Sequence, residues 1–138
     1  MGELMTIKNI GFIGLGAMGS VMAPLIVKSG CNVLGYDIKA KTDKSSGVKQ
    51  VEDINQFSDL DVIIFMLPNG RIVSEMAIKL LKMNLKSVFI DMSSSDPRET
   101  QELGKKLKNK GVKFLDAPVS GGVARAITGD LMIMAGGD

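Results

Sequence analysis

Three glycines carry the first chemistry in this chain. Gly14, Gly16 and Gly19 form a Gly-x-Gly-x-x-Gly array that follows the apolar run 10–13 and opens into a helix-like stretch. In that layout the first glycine makes the tight turn out of a strand, the second lets backbone approach a pyrophosphate, and the third lets the new helix pack closely on the sheet. The loop Gly14-Leu15-Gly16-Ala17-Met18-Gly19 then turns a helix N-terminus toward the anion. The competing reading is a set of ordinary turns, because 16 of the 138 residues are glycine.

Asp37 closes the next apolar run, 31–36, near the ~20-residue spacing at which a carboxylate accepts hydrogen bonds from an adenosine ribose. Otherwise it caps the following turn. A carboxylate there repels a 2′-phosphate and no arginine follows in the loop, so NAD is favoured over NADP, while Lys39 and Lys41 keep NADP open. Two further segments, Leu67-Pro68-Asn69 and Asp91-Met92-Ser93-Ser94-Ser95, follow apolar runs and so reach the same crevice. Ser93 and Ser94 either meet the nicotinamide side of a cofactor or cap the helix that starts at Asp96. A fourth segment, Asp116-Ala117-Pro118-Val119-Ser120-Gly121-Gly122, either exposes successive N–H groups that hold a carboxylate or is a plain turn.

The elements that must position these residues alternate along the whole chain. Apolar runs at 7–13, 31–36, 48–51, 61–67, 87–91, 112–115 and 131–135 read as strands, and 61–67 suits the middle of a sheet. Helical patterns fill 18–29, 52–57, the stretch with Ile72, Met76 and Leu80 on one face, 96–110 and 120–128. Asp96, Pro97 and Glu99 supply an N-cap, a first-turn proline and a capping-box acid. Pro24 lies inside the first helix, where it removes the hydrogen bond to the Ser20 carbonyl and kinks the axis. The alternation predicts an α/β, Rossmann-type doubly wound and mostly parallel sheet, with 1–138 as a single dinucleotide-binding domain.

Composition narrows the possibilities. With 17 basic and 15 acidic residues spread along the chain and no arginine-rich or aromatic-interleaved patch, nucleic acid is not an expected partner. The basic stretch at Lys105, Lys106, Lys108 and Lys110 reads as the solvated last turns of a helix. A single cysteine, Cys31, excludes an internal disulfide and fits a reducing compartment; just before a strand, it reads as a buried small residue. With no histidine, no metal site is expected, and proton chemistry falls to lysine or carboxylate. No apolar run approaches the ~20 residues of a membrane span and no signal layout precedes the first strand, which together predict a cytoplasmic chain.

In order along the chain, Gly11-Phe12-Ile13-Gly14-Leu15-Gly16-Ala17-Met18-Gly19 with Met22-Ala23, Met66-Leu67-Pro68-Asn69, Asp91-Met92-Ser93-Ser94, Asp116 to Gly122, and then Ala126, Gly129, Leu131 and Gly136-Gly137 resemble the β-hydroxyacid dehydrogenase family, the group of 3-hydroxyisobutyrate dehydrogenase and tartronate semialdehyde reductase. The resemblance implies hydride transfer between a nicotinamide cofactor and a small 3-hydroxy acid or its semialdehyde. It implies that Leu67 and Pro68 contact the cofactor, that Ser94 matches a cofactor-binding Ser or Thr, and that Ser120, Gly121 and Gly122 match a substrate-carboxylate loop. Family enzymes continue into a helical domain that carries a lysine acid/base, whereas this chain ends at Asp138, so binding without turnover is expected. The segment after Asp37 is short for the family, and Pro24-Leu25-Ile26 replaces its more usual Asn-Leu neighbourhood. A free-standing nucleotide-binding or regulatory module, with the apolar segment 131–135 buried in a homodimer, is the alternative.

Overall fold

The computed structural model describes residues 6–83, 85–120, 122–127, 129, 132–133 and 135–137. Among these the chain alternates strand and helix as β1 (Asn9–Ile13), α1 (Gly19–Lys28), β2 (Asn32–Tyr36), β3 (Lys49–Gln50), β4 (Val62–Phe65), α2 (Gly70–Leu81), β5 (Val88–Asp91), α3 (Pro97–Asn109), β6 (Phe114–Asp116), β7 (Val119–Ser120), α4 (Gly122–Ile127), β8 (Met132–Ile133) and β9 (Gly136–Gly137). The main sheet runs in the order β3-β2-β1-β4-β5-β6-β9. All its pairs are parallel except β6 with β9. The α/β, Rossmann-type architecture expected from the alternation is therefore the one found.

Both faces of this sheet are covered, which explains the continuous Val62-Ile63-Ile64-Phe65 run: successive side chains point to opposite faces and each meets a core. Ile63 and Phe65 join Ile13 and Phe89 under α2 and α3, where Val73, Met76, Leu80, Leu103 and Leu107 pack. Val62 and Ile64 join Ile10, Phe12 and Val33 under α1 and α4, through Met22, Ala23 and Ala126. Phe57 belongs to the first core and is completely buried. A Cβ at Gly11 would lie 2.8 Å from its ring, so the bare strand at Gly11 is what lets that ring lie against the sheet. No helix among the described residues is long and apolar enough to cross a membrane.

Several boundaries move for identifiable reasons. The first strand starts at Asn9 instead of residue 7, because the Asp61 carboxylate accepts the N–H groups of Lys8 and Asn9 at 2.9 Å each and takes the place of a ladder; Ile7 stays exposed. The run 48–51 shortens to a two-residue edge, and 52–57 tightens to a 3-10 turn, Ile54–Gln56. The capping box forms at that turn, between Asp53 and Gln56, while Asp96 caps α3 through the Arg98 N–H. α1 continues through Pro24 as one helix. The last apolar run is not a main-sheet strand: Met132–Ile133 pairs with Val119–Ser120 apart from it, Ile133 stays exposed, and Gly136–Gly137 takes the place beside β6. Cys31 is only half-buried.

Replacing Phe57 with alanine removes a fully buried ring that has no room to be replaced by collapse of the rigid strand, and is expected to cost about 3–5 kcal/mol. Urea denaturation of the purified variant measures that loss.

Candidate functional site

The site is built by register. Tyr36, Ile13, Phe65, Asp91 and Asp116 are cross-strand partners in succession, so five parallel strands finish on one row. The residue after each end extends the row. Gly14 N–H donates to the Tyr36 carbonyl at 2.9 Å, Met66 N–H to Ile13 at 2.8 Å, Met92 N–H to Phe65 at 2.9 Å and Ala117 N–H to Asp91 at 2.8 Å. The segments singled out in the sequence therefore leave the sheet side by side, at the carboxyl ends where α/β sheets bind ligands.

Within the glycine loop the three glycines do different work. Gly14 has φ +103° and a Cβ there would strike the Met66 carbonyl oxygen, so the loop and the end of β4 are in direct backbone contact. A Cβ on Gly19 would strike the Gly14 carbonyl oxygen. Gly16 is exposed and an added Cβ would meet nothing within 4 Å, which leaves room for a phosphate against its backbone. Leu15 anchors the loop in the core, whereas Ala17 is exposed. α1 begins after Met18 with no side-chain cap and no acid in its first turn, while Asn69 and Asp96 cap α2 and α3. The start of α1 therefore carries no side-chain oxygen or acid that would compete with an anion. The chain's own residues thus fit a dinucleotide phosphate.

Asp37 stands at the end of β2 with one carboxylate oxygen accepting from Leu15 N–H at 2.7 Å and the other from Lys39 and Ala40 N–H at 2.8 and 2.9 Å. Burial alone would raise its pKa, but these backbone donors, helped by the Lys39 charge, hold it below the usual aspartate value. Of the two readings of Asp37, the structure carries the turn cap, and it adds a bond that ties β2 to the glycine loop.

At the ends of β4 and β5 the placement corrects the sequence reading. Ser93 is completely buried and does not face the crevice; its Oγ accepts from Leu67 N–H at 2.8 Å and donates to the Phe65 carbonyl at 3.4 Å. Neither Ser93 nor Ser94 caps α3, since Asp96 does so. Ser94 and Pro68 are exposed, and Leu67 is half-buried. Asp91, also buried, accepts from Ser93 N–H at 2.9 Å and from Ser95 Oγ at 3.3 Å. Burial pushes its carboxyl up; the Ser93 bonds oppose this and neighbouring Asp116 adds to it. Burial also raises Asp116. Sequence reading missed the Asp91–Ser93–Leu67 link, although the alternation Asp-x-Ser-x-Ser after a strand is its visible trace.

Beyond β6, Ser120 is exposed at the end of β7, and Gly122, exposed with φ +70°, starts α4. Gly121 lies outside the described residues. A cleft of 510 Å³ lined by Asn9, Cys31, Asn32, Lys49 and Asp59 lies at the opposite pole, against the starting ends of β1 and β2. Asp37, Asp91 and Asp116 stand at the other end, where the strands finish.

The family described as the NAD binding domain of 6-phosphogluconate dehydrogenase matches residues 9–138. The chain is 38% identical over 136 residues to mitochondrial 3-hydroxyisobutyrate dehydrogenase of Drosophila melanogaster, a match that takes in 94% of this chain and 42% of that protein. To 2-hydroxy-3-oxopropionate reductase of Escherichia coli strain K12 it is 38% identical over 137 residues, 94% of this chain and 47% of the relative. The solved structure of Mycobacterium tuberculosis 3-hydroxyisobutyrate dehydrogenase with L-serine superposes with a TM-score of 0.91 at 33% identity, over 96% of this chain and 47% of that one. The chain spans less than half the length of each of these three proteins.

Because the folded Asp37 is more acidic than an unfolded aspartate, its ionised form adds stability at pH values above the unfolded pKa of about 3.9, and that contribution is lost as pH falls through the lower folded value. The urea midpoint of Asp37→Asn is therefore expected to lie below that of the unaltered chain at neutral pH, and the gap should close as pH falls below about 4.

Proposed function

We propose, on the premise that this chain belongs to the family of the NAD binding domain of 6-phosphogluconate dehydrogenase, that it binds a nicotinamide dinucleotide across the row of strand ends. The observation that carries this reading is Gly16, whose backbone faces open space between two glycines that are closed against neighbouring atoms. In the binding mode we infer, the pyrophosphate lies on Gly14, Leu15, Gly16, Ala17, Met18 and Gly19. The ribose of the adenosine half takes a bond to Asp37, whose carboxylate disfavours a 2′-phosphate and so favours NAD over NADP. Leu67, Pro68 and Ser94 flank the nicotinamide half; Ser93 supports them from beneath.

The bound cofactor supplies or accepts a hydride, and the protein holds its ring at the crevice. The reaction we assign is hydride transfer to or from a small 3-hydroxy acid or its semialdehyde, a reading supported by the names of the relatives and by the exposed Ser120 and Gly122 beyond β6. Ser120, Gly121 and Gly122 receive the substrate carboxylate in this scheme. The chain spans less than half the length of these relatives, and the part of the reaction we assign to it is cofactor binding. A cytoplasmic setting suits its single half-buried cysteine. One observation favours association as a second role: Val123, Ile127 and Ile133 expose large apolar side chains on α4 and β8.

Gly16→Val separates site from fold. Since an added Cβ meets no atom, the variant should melt within about 3 °C of the unaltered chain. Its affinity for NADH should fall by at least about tenfold, because the branched side chain occupies the phosphate position. Calorimetric titration with NADH and NADPH reads both affinity and cofactor choice, and equal binding of NADH by the valine variant would overturn the site.

A further inference from the structure

Asp91 and Ser93 are buried polar side chains at the carboxyl edge of the sheet, and neither faces solvent. Leaving such groups inside a parallel sheet is costly unless every polar atom has a partner, and here the partners form a continuous chain. The Asp91 carboxylate receives Ser93 N–H at 2.9 Å on one oxygen and Ser95 Oγ at 3.3 Å on the other. The Ser93 hydroxyl receives Leu67 N–H at 2.8 Å and gives its proton to the Phe65 carbonyl at 3.4 Å. Leu67 N–H follows directly on the ladder that Met66 ends, and its bond continues toward β5 where the strands themselves have stopped. The two loops after β4 and β5 are thereby fixed to one another by side chains buried beneath the surface.

We infer that Asp91 and Ser93 are positioning residues, a buried relay that sets the backbone of Leu67–Pro68 and the exposed Ser94 for the nicotinamide half of the cofactor. This rests on the dinucleotide reading of the strand-end row. The relay lies under β4 and β5, whereas the glycine loop and Asp37 at β1 and β2 hold the adenosine and phosphate half. A group that positions only one half of a ligand has a signature that general destabilisation does not: it changes affinity for the whole dinucleotide and spares the half it does not support.

The test compares NADH with ADP by calorimetric titration of the 138-residue chain and its variants, with circular dichroism confirming that each variant is folded. In Ser93→Ala the Leu67 N–H loses its buried acceptor, and NADH affinity is expected to fall by about tenfold. ADP affinity should stay within about twofold, because the bonds of the relay reach Leu67 and Phe65 and none reaches the glycine loop or Asp37. Asp91→Ala should behave like Ser93→Ala, and Asp91→Asn, which keeps a carbonyl oxygen for Ser93 N–H and an amide for Ser95 Oγ, should restore most of the NADH affinity. Should Ser93→Ala fail to fold, Ser95→Ala, which severs only the outer bond, is read instead and is expected to lose NADH affinity selectively. Unchanged NADH affinity in the folded serine variant, or equal losses of NADH and ADP, would overturn the relay. Failure of the unaltered chain to bind either ligand would overturn the dinucleotide reading and the relay with it.

Discussion

Everything at the carboxyl edge of the sheet depends on the common register in which parallel strands end. Tyr36, Ile13, Phe65, Asp91 and Asp116 form one row, and four N–H groups from the residues just beyond continue the ladder across it. A slip of one residue in any strand would invert its side chains between the two cores and carry its terminal segment out of line with the others. The alternating burial of Val62, Ile63, Ile64 and Phe65 against opposite faces is what forbids that slip. Hydrophobic packing thus fixes the placement of polar groups that make no hydrophobic contact themselves.

On this fixed row, three kinds of constraint shape the backbone. Close contact does so at Gly14 and Gly19, where carbonyl oxygens occupy the space of a side chain. Charge does so at Asp37, a carboxylate held ionised by backbone donors from two segments. Burial does so at Asp91, where the same functional group is pushed the other way because fewer donors meet it and Asp116 lies beside it. Two aspartates at the carboxyl edge of one sheet, after β2 and at the end of β5, therefore differ in acidity through their surroundings alone.

Much of this was legible in the chain. The alternation of apolar runs and helical patterns predicted the sheet, the Gly-x-Gly-x-x-Gly array marked its first turn, and the likeness to β-hydroxyacid dehydrogenases extends along the chain. What escaped reading depends on three-dimensional direction. Ser93 and Ser94 are adjacent and chemically identical, yet one points into the sheet and the other outward, a distinction set by where β5 stops and invisible to composition. The run 131–135 reads as a strand, and Met132–Ile133 forms one, but in the separate pair with β7; the pairing beside β6 went instead to Gly136–Gly137, two residues whose sequence carries no strand signal. Asp61 likewise gave no hint that its carboxylate would fix the start of β1.

The two ends of the main sheet have a bearing on how the molecule behaves in a crowded solution. Open parallel sheets carry lateral rows of unpaired N–H and C=O groups, and long flat rows of this kind template cross-β aggregation. Here one margin is β3, two residues long with an exposed lysine, and the other is β9, a pair of glycines running against the direction of its neighbour. The β3 margin is too short to recruit a partner chain over more than a few bonds, so on that side the sheet that aligns the ligand edge also resists growing sideways into a fibril.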